Sequence, residues 1–200
     1  LNINSDKEIL KNRFYQLEFP EGDVKININL SGSNTSPNLD FNIDESYSIT
    51  YSGDDITIAA KTVYGAIHAL TSLRQLVRTD DNSQITIPSS INIQDKPAFP
   101  HRGILIDTGR VYLPKHSIKR TISGMAFVKL NVLHWHLTDA QNFPYVPPSH
   151  PELAKGSTGK TYSQDDIKEI VKYANERGVR VIIEIDTPAH TYSWGVGHPE

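Results

Sequence analysis

The chain has no cysteine among its 200 residues, which excludes disulfides and cysteine-ligated zinc. It has little excess of either charge: 20 Lys plus Arg stand against 23 Asp plus Glu, a formal net charge of −3. Such a balance supplies no electrostatic drive toward nucleic acid or an anionic membrane, and neither is expected as a partner. Long apolar runs are also missing; none approaches the roughly 20 residues that a membrane span needs. Methionine occurs once, as Met125, and the first residue is Leu1, so an upstream portion is expected to have been removed or left out. The absence of a signal peptide therefore says nothing about secretion. What is present is a 38% hydrophobic content, enough for a core. Two Asn-x-Ser/Thr tripeptides begin at Asn29 and Asn34. Glycosylation there would put the segment on the surface of a secretory-pathway protein.

Composition shifts near residue 97. Residues 1–96 hold no tryptophan and one of the 8 histidines, whereas both tryptophans lie in 97–200. The join around Pro97 and Pro100 reads as a linker, giving a domain over 1–96 and a second segment over 97–200. In the first, Val24–Leu30, Tyr47–Tyr51 and Asp55–Ala59 alternate apolar and polar residues as half-buried strands do, with a turn at Gly53-Asp54. Val63, Ile67, Leu70, Leu73 and Val77 recur at helical spacing, and Ile85–Ile87 and Ile91–Ile93 close the segment. This order predicts an α+β domain, a small antiparallel sheet backed by one helix.

The second segment changes rhythm. Short dense strands are expected at Gly103–Thr108, Asn131–Leu137 and Arg180–Asp186. Amphipathic helices lie between them, one opening at Pro114 and one capped by Ser163 and ended by Gly178. Alternating strands and helices mean βαβ units and a parallel sheet. A complete (β/α)₈ barrel takes about 250 residues, so this segment predicts only the first part of one. The chain is expected to stop inside that fold.

Ionisable residues collect where these strands end: Asp107 then Arg110; His134 and His136 then Asp139; Glu184 and Asp186 then His190. Strand residues two apart share a face, so His134 and His136 point together, as do Glu184 and Asp186. An unpaired buried charge costs several kcal/mol, roughly, so the three strands must share a polar network. The C-terminal rim of a barrel is where its active site sits. We read His134, His136, Glu184 and Asp107 as structural members of the network, and Arg110, Asp139 and His190, just past the strand ends, as functional ones. Trp135 and Trp194 read as packing residues. His101, His116, His150 and His198 show no constellation around them and read as surface or loop residues. A rival pattern is a metal-dependent hydrolase with a cation on His134 and His136, completed by Asp139, Asp186 or His190.

Three stretches resemble family 20 glycoside hydrolases, the β-N-acetylhexosaminidases. His101–Arg110 is similar to their first barrel strand, Lys129–Asp139 to the second and Glu184–Trp194 to the third. Phe143-Pro144-Tyr145 and Pro151-Glu152-Leu153 match the loop between the second and third strands. Thr62–Ala66 and Ser72–Leu76 are similar to the helix of the small α/β domain that precedes the barrel. Two positions depart from the family: Ala189 stands where glycine is usual, so a positive φ there would be strained, and Ala140 stands where many members carry a second acid.

The resemblance implies exo-acting hydrolysis of terminal, non-reducing GlcNAc or GalNAc residues by a retaining, substrate-assisted mechanism. The sugar's own acetamido oxygen attacks the anomeric carbon. Arg110 would grip sugar hydroxyls, and Asp139 with His190 would support the general acid. The family's Asp-Glu pair, in a Gly-Gly-Asp-Glu setting, does not occur here, so the 200 residues alone are expected to be inactive. The implied partners are a glycan or glycoconjugate substrate and the remainder of the barrel, from the same or a second chain. A homodimer is compatible with the family. No cofactor and no metal are implied, and the location would be secreted or lysosomal. The alternative is a non-catalytic carbohydrate-binding accessory protein.

Overall fold

The computed structural model of the chain describes residues 1–20, 22–32, 39–81 and 85–199. It divides into two compact units, Leu1–Pro100 and His101–Glu200.

The N-terminal unit contains strands β1 (Asn2–Asn4), β2 (Lys25–Leu30), β3 (Tyr47–Tyr51) and β4 (Ile56–Ala60), helices α1 (Glu8–Gln16) and α2 (Val63–Leu76), a small ribbon of β5 (Arg78–Thr79) and β6 (Ile85–Thr86), and β7 (Ile91–Asp95). The main sheet runs β1-β2-β4-β3-β7. It is mixed, not antiparallel as the alternation suggested: β1, β2 and β4 are parallel, while β3 runs antiparallel to β4 and β7. The cause is α1, which carries the chain from β1 back to the start of β2, as a parallel pair requires. Three-residue β1 is too short to show a period, so that unit was invisible in the sequence. Ile85-Thr86 likewise leaves the main sheet and pairs with Arg78-Thr79.

Packing follows the periods. Ile26, Ile49, Ile56 and Ile58 turn inward from the strands and meet Val63, Ile67, Leu70 and Leu73 of α2, with Leu10 and Phe14 of α1. Thr62 caps α2, its hydroxyl accepting from Gly65 N. Asn29 is exposed on β2; the tripeptide at Asn34 lies outside the described residues.

The C-terminal unit is a βαβαβ array. Strands β8 (Gly103–Asp107), β9 (Val132–Thr138) and β10 (Arg180–Ile185) form a parallel sheet in the order β10-β9-β8. Helix α3 (Lys115–Phe127) connects β8 to β9; a 3₁₀ helix (Pro151–Gly156) and α4 (Gln164–Asn175) connect β9 to β10; α5 (Tyr192–Gly197) follows. Ser163 caps α4 in a capping box with Asp166.

The alternation along β9 decides what faces where. Leu133, Trp135 and Leu137 point to the helix layer, where they pack with Ile118, Ile122 and Met125 of α3 and Ile170 and Ala174 of α4. His134 and His136 therefore point to the opposite face. Trp135 is fully buried and donates its Nε1–H to Thr108 Oγ1 at 2.8 Å, while Trp194 packs edge-on against Phe143. Both are packing residues. Leu105, Ile183 and Ile185 are large apolar side chains left exposed on the flanking strands.

Candidate active site

Asp139 is the hub of the C-terminal unit. It sits just past β9 and is completely buried. A carboxylate offers about four acceptor positions; here it accepts three hydrogen bonds and pairs with one guanidinium. His136 Nε2 (2.9 Å) and Arg110 Nη2 (2.9 Å) approach Oδ2. Ala140 N (2.6 Å) and His190 Nδ1 (3.2 Å) approach Oδ1. Burial pulls the Asp139 carboxyl upward, but the bonds from His136, Ala140 N–H and His190, with the Arg110 charge, outweigh it and hold the group below the usual carboxylate range. It is an ionised side chain engaged on both oxygens, suited to fixing its neighbours.

Arg110 reaches Asp139 through a loop that only glycine permits. A Cβ on Gly109 would lie 2.6 Å from Asp139 N and from Thr138 C. With hydrogen there, the turn after β8 lies flat against the end of β9. Asp107 then grips Arg110 twice, accepting from its backbone N–H at 3.0 Å and from Nη1 at 2.7 Å. The guanidinium is thus braced between two carboxylates while its side chain stays 48% exposed. A braced fork with unused N–H groups facing solvent can bind paired hydroxyl oxygens.

Glu184 joins the histidines. Its Oε1 meets His136 Nδ1 at 3.0 Å and its Oε2 meets His134 Nε2 at 2.5 Å. Burial pushes the Glu184 carboxyl up, but the His136 and His134 bonds hold it lower. Burial alone would push the His136 imidazole down; the bonds to Asp139 and Glu184 reverse this and raise it. A register shift separates Glu184 from Ile185 on β10, and Asp186 lies beyond the strand end. Asp186 still reaches the same cluster, with His136 and Asp139 ligand atoms within 4.8 Å. Both His136 nitrogens face carboxylates, Nε2 toward Asp139 and Nδ1 toward Glu184.

His190 has a left-handed backbone, φ +56°. The positive φ thus falls on His190 and not on Ala189, so the alanine is unstrained. A non-glycine residue held there costs on the order of 1–3 kcal/mol and persists where surroundings fix it. Those surroundings include Ser193, whose Oγ donates to the Asp139 carbonyl at 2.6 Å. Ala140 contributes to Asp139 through its backbone N–H, which any residue except proline would supply.

Arg110, Asp139 and His190 thus meet at one point, as do His134, His136, Glu184, Asp107 and Asp186 around them. Ser193 escaped sequence reasoning; a lone serine on a helix carries no signal. His150 and His198, expected to stand apart, both approach Glu152. The two lie far apart in sequence and meet only because α5 packs on the 3₁₀ helix. His101 and His116 are exposed.

Residues 99–200 match the model of the glycosyl hydrolase family 20 catalytic domain, and residues 8–76 match that of the "beta-acetyl hexosaminidase like" domain. Beta-hexosaminidase subunit beta of Mus musculus is 47% identical over 157 residues, covering 77% of this chain and 29% of the relative. Among solved structures, a Flavobacterium johnsoniae chitobiase superposes with a TM-score of 0.83 at 34% identity, covering 99% of this chain and 33% of that one. A mutant Streptomyces plicatus β-hexosaminidase in complex with its product GlcNAc superposes with a TM-score of 0.77 at 27% identity, covering 96% and 42%. The chain spans between 26% and 38% of the length of curated relatives that it matches. By its catalytic-domain match and its three strand-end motifs, the chain belongs to glycosyl hydrolase family 20.

Proposed function

We propose that the protein of which this chain forms part is an exo-β-N-acetylhexosaminidase, removing terminal non-reducing GlcNAc or GalNAc from a glycan or glycoconjugate. The observation that carries this reading is the double engagement of Asp139, by Arg110 on one oxygen and His190 on the other. Arg110 takes the role of sugar-binding fork. Its approach to Asp107 and Asp139 fixes its orientation before substrate arrives, so little rotamer freedom is lost on binding. Asp139 and His190 act as positioning residues for the general acid.

The reaction is substrate-assisted and retaining. The substrate's acetamido oxygen attacks the anomeric carbon and the aglycone oxygen leaves with a proton; water then opens the cyclic intermediate. The carboxylate that orients the acetamide and the glutamic acid that protonates the leaving oxygen belong to the remainder of the barrel, from the same or a second polypeptide. This chain contributes the rim of three strands, and turnover requires the rest. General acid catalysis is worth about 10²–10⁴ in rate, so we expect residues 1–200 alone to be inactive.

The Mus musculus relatives are named as subunits alpha and beta; an assembly of two such polypeptides, a homodimer here, fits this reading. A secreted or lysosomal location does too, and the exposed Asn29 is its candidate glycosylation site. The test is turnover of aryl β-N-acetylglucosaminide and β-N-acetylgalactosaminide by the purified full-length protein. Release of the aryl group with retention at the anomeric centre is expected. No turnover of either substrate by a folded full-length protein would refute the reading.

A further inference from the structure

A second cluster of ligating side chains lies in the C-terminal unit and shares no residue with the strand-end network. It comprises His150, Glu152 and His198. His150 is the residue before the 3₁₀ helix Pro151–Gly156, Glu152 lies in its first turn, and His198 follows the last turn of α5. Both imidazoles converge on one carboxylate oxygen: Glu152 Oε1 is 2.9 Å from His150 Nδ1 and 3.9 Å from His198 Nε2. The two rings stand edge to face, with centroids 6.1 Å apart. The three ligand atoms all lie within 4.8 Å of one another.

An ordinary exposed ion pair explains His150 with Glu152, two residues apart. It does not explain why an imidazole from a distant helix end comes to the same oxygen. The packing that brings it there is tight. A Cβ on Gly197 would lie 2.6 Å from Leu153 Cα and 2.8 Å from the Glu152 carbonyl. Glycine is therefore needed for the backbone of α5 to seat on the 3₁₀ helix. The backbone N–H of His198 donates to the Trp194 carbonyl at 2.7 Å and fixes the direction in which the chain leaves. A fixed backbone at both ends of the pair limits how far the side chains must move to meet one ion.

We propose that His150, Glu152 and His198 form a surface site for a zinc-like divalent transition-metal ion that ties the 3₁₀ helix to α5. Zinc binds imidazole nitrogen and carboxylate oxygen at about 2.0–2.2 Å, which separates tetrahedral ligand atoms by about 3.4 Å. The observed 2.9 and 3.9 Å bracket that value, so small side-chain rotations complete the set. Two imidazoles and one carboxylate leave a fourth position for water, and the donor set suits zinc, nickel and copper more than calcium or magnesium. The ion would clamp the loop between β9 and α4 to the helix that carries Ser193, and so lend rigidity to that helix.

The experiment titrates chelator-stripped full-length protein with Zn²⁺ by calorimetry, with Co²⁺ absorption as a second readout of ligand geometry. Wild type is expected to bind one Zn²⁺ that His198→Ala and His150→Ala each weaken at least about tenfold, the scale on which even supporting residues act at metal sites. Glu152→Gln should weaken it as well, and His116→Ala, an exposed histidine elsewhere, should leave it intact. Zn²⁺ should raise the Tm of wild type and not that of His198→Ala. The histidine side chains are 60% and 44% exposed, so their loss should leave folding intact, which circular dichroism checks. No saturable Zn²⁺ binding by wild type, or equal affinity in His198→Ala, overturns the proposal.

Discussion

In the N-terminal unit, His68 Nε2 meets Glu45 Oε1 at 2.7 Å, and both side chains are nearly sealed from water. In the C-terminal unit, Asp139 is sealed just as completely, yet its partners Arg110 and His190 are each about half exposed. The first pair is closed: His68 lies on α2 amid an aliphatic core, and both side chains of the pair are buried. The second is open: buried charge at its centre, unused donors at its edge. The same residue types therefore do different work, set by where the network meets solvent. A closed pair fixes a core; an open network presents groups that are already oriented.

That contrast can be broken or sharpened by substitution in the full-length protein. The largest effect is expected from Asp139→Asn, which removes the charge that orders Arg110, His136 and His190. It should lower kcat/KM by about 10²–10⁴, with circular dichroism unchanged. His68→Ala should do the reverse. It leaves the Glu45 carboxyl buried without its imidazole and should cost about 3 kcal/mol in denaturant-measured stability, with kcat/KM preserved. If His68→Ala were to abolish activity in folded protein, the closed pair would not be merely structural. Arg110→Lys should lower kcat/KM by about 10–100-fold, because an ammonium cannot span the Asp107 and Asp139 contacts and a sugar at once.

Smaller effects appear in pH dependence. His190 is one of the groups that hold the Asp139 carboxyl low. Its removal in His190→Ala lets that carboxyl rise toward the ordinary value, so the acid limb of the kcat/KM profile should move to higher pH. An unmoved limb would contradict the positioning role. Stability carries the opposite signs of two shifts. The depressed Asp139 contributes stability above its unfolded value, lost as pH falls through its lower folded one. The raised His136 contributes below its unfolded value, lost as pH rises through its higher folded one. Both contributions coexist between about pH 4 and pH 6.5, and His136→Gln should remove the loss seen on the alkaline side of that window.

Much of this was legible in the sequence because it rests on periods and caps. The alternation in Val132–Thr138 puts His134 and His136 on one face of β9, and Ser163 and Pro114 mark helix starts. The three strand-end motifs named the hub residues. What stayed hidden depends on contacts between distant segments. Parallel β1 carries no period, so the mixed sheet could not be foreseen. The positive φ was looked for at Ala189 and occurs at His190, because backbone conformation follows from the loop's packing and not from residue type alone. The convergence of His150 and His198 on Glu152 has no local signal at all. Nor did sequence reveal that Gly109 is the residue that lets Arg110 reach Asp139.

The most direct test of the open network is a structure of the full-length protein with GlcNAc bound. The account predicts sugar hydroxyl oxygens within hydrogen-bond distance of the Arg110 guanidinium, roughly 2.7–3.2 Å. It also predicts that Asp139 still pairs with Arg110 on one oxygen and meets His190 on the other, with His190 directed toward the acid that protonates the leaving group. A sugar seated away from the ends of β8, β9 and β10, with Arg110 touching only Asp107 and Asp139, would contradict it.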